Sequence, residues 1–190
     1  MPQDWKSLMQ HDKVTEDLVR AIPDDCVNDT VYWGFAEWTV LAIACRYAAP
    51  TIVRWLLVER GADPNKVNAN HFATIHTLAL YATGNDSNNV IFCLKLLLAA
   101  GANMDIPSSG SYDGRSCLEI AVGRQDYFLV SRLIYYGAKV RKSERPYLPH
   151  YIRHILSGNN RCRAAARVLL GLRQRRRSIL NMNDTPVIWL

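Results

Sequence analysis

The chain has 190 residues, of which 49% are apolar and 21% charged, a balance that excludes a disordered or fibrous protein and suits one domain or one array of small units. No window approaches the ~18 uninterrupted apolar residues of a membrane-spanning helix, and Met1–Lys6 lacks the basic stretch and apolar run of a secretory leader. The net charge of +6 conceals a division: from Lys139 to Ser178 there are 12 Lys/Arg and one acidic residue, Glu144, whereas the remainder carries 11 basic and 16 acidic residues.

In chain order, the first expected elements are a short helix over Trp5–Gln10, a second over Asp17–Ile22, and a turn at Asp24–Asn28. Tyr32–Trp38 reads as a turn holding four aromatics, Tyr32, Trp33, Phe35 and Trp38. Thr39 opens the next helix, where its hydroxyl can cap free backbone N–H groups. Leu41, Ala44 and Cys45 share one face of it at i, i+3 and i+4. A second apolar helix over Ile52–Arg60 ends at Gly61-Ala62, since glycine accepts the left-handed conformation that stops a helix. The turn Asp63-Pro64-Asn65 follows.

That unit recurs. Thr74 and Ser116 open segments like the one at Thr39, and the three starts lie 35 and 42 residues apart. His76, Ala79, Leu80 and then Leu118, Ala121, Val122 repeat the buried triplet, always with alanine in the middle, where neighbouring helices come close. Phe92–Ala100 and Phe128–Tyr136 are the second helices, ending at Gly101-Ala102 and Gly137-Ala138. Polar insertions at Gly84–Asn89 and Ile106–Tyr112 read as flexible loops. Such a unit cannot bury its apolar face alone, so the units must stack.

Asp113–Ala121 and Leu56–Asn65 resemble the D-G-x-T-P-L-H-x-A and L-L-x-x-G-A-D-x-N patterns of the ankyrin-repeat family. The resemblance covers Trp33–Val140 and implies an all-α, helix-turn-helix solenoid with short β-turn or hairpin connections. Val40, Ile75 and Cys117 replace the family's proline; Ala42, Thr77 and Glu119 replace its histidine, so the histidine's bracing hydrogen bonds are expected to be missing. The implied organisation is a degenerate N-terminal capping repeat (1–32), three repeats (33–69, 70–111, 112–142), a basic C-terminal helical pair (143–178) and a short apolar tail (179–190).

No G-x-S-x-G, P-loop or G-x-G-x-x-G is present, so no enzyme and no cofactor are expected. Asp24-Asp25 reads as a solvated turn. His150 and His154 have a zinc-compatible i, i+4 spacing but lack further ligands, and a structural zinc site needs four; no metal is expected. His76 reads as a satisfied core histidine and His71 as a solvent-facing turn residue. Five widely spaced cysteines read as reduced thiols of an intracellular, cytoplasmic protein.

The resemblance implies binding of another protein through the turn tips and the concave face of the first helices. By position, that face offers Arg46, Tyr47, Tyr81 and Arg124. The turns add Trp33, Phe35, Trp38 and Tyr112, and Tyr and Arg are frequent interface anchors. The plainer alternative for Trp33 and Trp38 is that they cover the edge of the degenerate first unit. At the other end, Arg173, Arg175, Arg176 and Arg177 crowd a helix over Arg161–Arg177. They form a solvated face, a nuclear import signal, or a surface for nucleic acid or anionic lipid, although no aromatics are interleaved for base stacking. A monomeric protein-binding scaffold is the expectation, with a nucleic-acid or anionic-surface binder as the alternative.

Overall fold

The computed structural model describes residues 15–33, 36–69, 71–81, 86–108 and 114–140. Its first element is a single-turn helix, α1 (Glu16–Arg20), followed by a 3-10 turn at Asp24–Cys26. An antiparallel hairpin, β1 (Thr30–Trp33) and β2 (Ala36–Thr39), comes next, with Val31 opposite Trp38 and Tyr32 opposite Glu37. The pleat puts buried Val31 and half-buried Trp38 on one face, exposed Tyr32 and Glu37 on the other. Three helix pairs complete the described chain: α2 (Val40–Arg46) with α3 (Pro50–Val58), α4 (Thr74–Tyr81) with α5 (Ser87–Ala99), and α6 (Cys117–Gly123) with α7 (Tyr127–Tyr135).

The first helices form one layer, α4 packing on both α2 and α6, while α3 packs on α5 in the other layer and α7 packs on α6. Ala44, Ala79 and Ala121 are fully buried where the first helices meet, as the repeat pattern requires. A continuous core runs through all three pairs, with Leu41, Leu56, Leu78, Leu94, Leu97, Leu118 and Leu133 among its largest members. Among the described residues the architecture is therefore a mostly helical stack with one short hairpin. The helix over Trp5–Gln10, the pair at Pro146–Leu156 and Arg161–Arg177, and the tail lie outside the described residues, as do His150, His154 and Cys162.

Each pair starts on a different device. The Thr39 hydroxyl accepts from the Ala42 N–H at 3.1 Å, and Ser116 forms a reciprocal capping box with Glu119. Thr74 departs from expectation: it stands inside α4, and its buried hydroxyl makes no hydrogen bond. His76 takes over the task, its Nδ1 accepting from the Ala73 N–H at 3.0 Å while its Nε2 lies 2.8 Å from the Ile106 carbonyl. The bracing histidine expected to be missing is thus present, one place earlier in the repeat. The insertion before α5 is also corrected: Asp86 caps the helix at the Asn89 N–H, so Ser87, Asn88 and Asn89 are its first turn rather than loop.

The exit turns are laced together by side chains. Asp63 closes its own turn by accepting from the Asn65 N–H at 2.9 Å, and Asn65 reaches the next turn, accepting from the Asn103 N–H at 2.7 Å and donating to the Gly101 carbonyl. Asn103 and Asp105 repeat this arrangement, Asp105 accepting from the Lys139 N–H at 3.2 Å. Asn28 does the same one turn earlier, accepting from the Asp63 N–H. Arg60, nearly buried, donates to the Val19 and Ile22 carbonyls and pairs with Asp24 at 2.8 Å, so α1 is tied to α3. Asp24 is accordingly an ion-pair partner as well as an exposed turn residue.

Two helix-to-helix links have a strained residue at the same position of the repeat. Ala48 (φ 47°) after α2 and Gln125 (φ 59°) after α6 are left-handed, followed in each case by an N–H that closes onto the preceding helix (Ala49 to Ala44, Asp126 to Ala121). Gln125 is exposed, so only its backbone conformation is at stake. Gln125→Gly is expected to raise stability by about 0.5–1 kcal/mol, the relief of left-handed strain exceeding the added chain entropy, as read by urea denaturation.

Candidate functional site

Thr39, Thr74 and Ser116 set a common register, and the seventh place after each holds Arg46, Tyr81 and Gly123. These are neighbours along the first-helix layer. Arg46 closes α2, and its guanidinium lies over two rings at once: Trp33 of β1, 4.5 Å from the ring centroid, and Tyr81 of α4, 3.8 Å away. Tyr47, the residue after α2, meets Trp33 edge-on at 5.9 Å. Trp38 of β2 meets Tyr81 at 6.4 Å and Phe72 at 6.3 Å, and Phe72 in turn meets His76 at 5.6 Å.

The result is a continuous cation–aromatic surface from the hairpin onto the second pair. Trp33, Trp38, Arg46, Tyr47 and Tyr81 are all half-buried, with one side packed and the other presented outward. Trp33 and Trp38 therefore pack forward onto Tyr47 and Tyr81, joining the hairpin to the first helices. Asn68 fixes the hairpin against the following turn, donating to the Glu37 carbonyl at 2.7 Å and accepting from the Phe72 N–H at 2.9 Å. Each cation–ring contact contributes ~0.5–2 kcal/mol depending on desolvation. Together they hold a long side chain that would otherwise sample many rotamers.

Arg124 stands apart from this cluster, exposed at the end of α6. Beside it, a Cβ placed on Gly123 would meet Arg115 Nη1 at 3.9 Å, so the Arg115 side chain runs along α6 toward the place equivalent to Arg46. Phe72 and Arg115 were not singled out by the sequence; only the lateral packing of turns against helices reveals them. Phe35, Tyr112, Arg173, Arg175, Arg176 and Arg177 lie outside the described residues. The other layer also exposes aromatics, with Phe92 and Phe128 half-exposed at equivalent places on α5 and α7.

Two buried titratable side chains, His76 and Cys45, are shifted by their surroundings. Burial lowers the His76 pKa from its ordinary value, against the opposing pull of the Ile106 carbonyl at Nε2. Burial likewise pushes the Cys45 thiol, beside Cys93, well above its usual range, which leaves it a poor nucleophile. Cys26, Cys45, Cys93 and Cys117 are free thiols. Among the described residues, no group of three or more His, Cys, Asp or Glu side chains could hold a metal ion, and no helix is long and apolar enough to cross a membrane.

The family model for ankyrin repeats, in three copies, matches residues 41–144. The match spans more than half of the chain and contains all three helix pairs from Leu41 onward.

Proposed function

Since the chain belongs to the ankyrin-repeat family, whose repeats are in general protein–protein interaction modules, we propose that it is a scaffold that binds a partner protein through the first-helix face and the adjoining turns, with no chemistry of its own. One observation carries this reading: Arg46, fixed between Trp33 and Tyr81 and flanked by Tyr47 and Trp38. A binding surface gains most where its anchors are ordered before the partner arrives, because ordering a rotamer-rich side chain on binding costs ~0.5–1.5 kcal/mol. Aromatic rings and arginine are also the residues that most often dominate interface energies.

The proposed organisation keeps residues 1–32 as a degenerate cap, supported by the bonds from Arg60 to Val19 and Ile22 and from Asp63 to Asn28. The segment 143–178 is proposed as the cap at the other end. An intracellular location fits the free thiols among the described residues, and a monomer is proposed with it. The second reading, nucleic-acid or anionic-surface binding through Arg173, Arg175, Arg176 and Arg177, rests on the concentration of charge after Lys139.

A tagged pull-down from the native cell type, with nuclease treatment, separates the two. The parallel bait carries Tyr47→Ala, Tyr81→Ala and Arg124→Ala. The expected result is one protein enriched, retained after nuclease and lost with the triple variant. Recovery that depends on nucleic acid, ignores the substitutions and falls linearly on a log–log plot against salt would give the function to the arginine-rich segment.

A further inference from the structure

The proposed face carries an imbalance of charge that follows from how the helices are built. Helix starts and exit turns need acceptors for free N–H groups, and beside hydroxyls and asparagines this chain uses several of its acidic side chains for the purpose. Asp86 caps α5, Asp126 caps α7, and Glu119 bonds the Ser116 N–H at the start of α6. Asp63 and Asp105 are engaged in the exit turns, Asp105 also with the Lys139 ammonium at 3.0 Å. Asp24 is paired with Arg60.

The arginines are distributed differently. Arg46 lies across the rings at the end of α2, and Arg115 runs along α6 toward Gly123, with Arg124 one residue beyond. Arg115 and Arg124 are exposed and make no ion pair among the described residues. On the hairpin, Glu37 is exposed on the face opposite Trp38 and accepts from the Thr30 hydroxyl at 3.2 Å. At Gly123 an added Cβ would lie 3.9 Å from Arg115 Nη1, an ordinary contact distance, so the Arg115 guanidinium reaches the end of α6 beside Arg124.

Resting on the first-helix reading above, we infer that the partner segment docked on this face is acidic, with an apolar or aromatic anchor. The anchor meets the Trp38–Tyr81 edge. Carboxylates beside it meet Arg46 at one end of the row and Arg115 and Arg124 at the other. Guanidinium forks suit this task because they receive carboxylates in a bidentate manner. Complementary charge of this kind sets partner choice and speeds encounter.

The test is a selection of displayed random dodecapeptides on the full-length protein at low salt, followed by fluorescence anisotropy with the synthesised winners. Three proteins are compared: the wild type, Tyr81→Ala, and Arg115→Glu with Arg124→Glu. Arg115→Gln with Arg124→Gln serves as a milder second variant, and circular dichroism checks each fold. Expected are winners of net negative charge that contain an aromatic residue, lose binding with Tyr81→Ala, and weaken by at least about tenfold on charge reversal, less on neutralisation. Winners without net negative charge that still depend on Tyr81 would overturn the acidic assignment and leave the binding face standing. Acidic winners indifferent to all these variants would move the site to the arginine-rich segment and overturn both readings. A selection that enriches nothing dependent on Tyr81 counts against both as well.

Discussion

His76→Leu is expected to destabilise the protein by about 2–4 kcal/mol, because it leaves the Ala73 N–H and the Ile106 carbonyl buried without their partners. Leucine preserves most of the apolar volume, so the loss reports hydrogen bonds more than packing. The damage should concentrate where α4 faces the turn before α6, since stability in a stacked array comes from neighbouring interfaces. Hydrogen exchange of α4 and α6 measures that distribution.

The same residue makes stability depend on pH. With Nδ1 accepting and Nε2 facing a carbonyl, the bound form is the neutral ring protonated on Nε2. Its pKa is lowered in the folded protein, chiefly by burial, so the unfolded chain takes up the proton first. The stabilisation is therefore complete above the unfolded value, ~6.5, and is lost as pH falls from there toward the lower folded value. The slope it contributes is at most ~1.4 kcal/mol per pH unit. Urea unfolding between pH 7.5 and 5 should show this slope in the wild type and not in His76→Leu.

The second large effect concerns binding. Arg46→Ala and Tyr81→Ala are each expected to weaken a partner captured on the first-helix face by roughly 10- to 30-fold, the loss typical of an interface anchor. Their combination should cost less than the product of the two, because each removal already frees the other from the contact at 3.8 Å. Arg46→Lys keeps the charge but loses the flat guanidinium that stacks on Trp33 and Tyr81. It should recover only part of the affinity. Titration calorimetry against the captured partner gives all four values.

Much of this was legible in the residues. A hydroxyl, a buried alanine and a Gly-Ala stop at regular intervals gave the helix pairs and their order, because each marks a local backbone need. The histidine escapes the family pattern, which places it at Thr77, because the physical requirement is only an acceptor for one N–H and a donor to the next turn. His76 meets both from one place earlier, and Thr74 is then left without a role as a cap. Position along the helices marks Arg46, Tyr47 and Tyr81 as candidates. Their joining through Trp33, Trp38 and Phe72 depends on lateral packing, which no periodicity encodes. Arg115 is an ordinary turn arginine in the sequence for the same reason, and only the fold brings its guanidinium to the Gly123 end of α6.

Site-specific photocrosslinking in the native cell type tests the central claim most directly. A photoreactive phenylalanine analogue is placed at Tyr47 on the proposed face and, in a second protein, at Phe92 on the opposite layer, half-exposed on α5. A partner protein crosslinked from Tyr47 and absent from Phe92 is the result predicted here. Crosslinking from Phe92 alone would contradict it and move the binding surface to the outer helices.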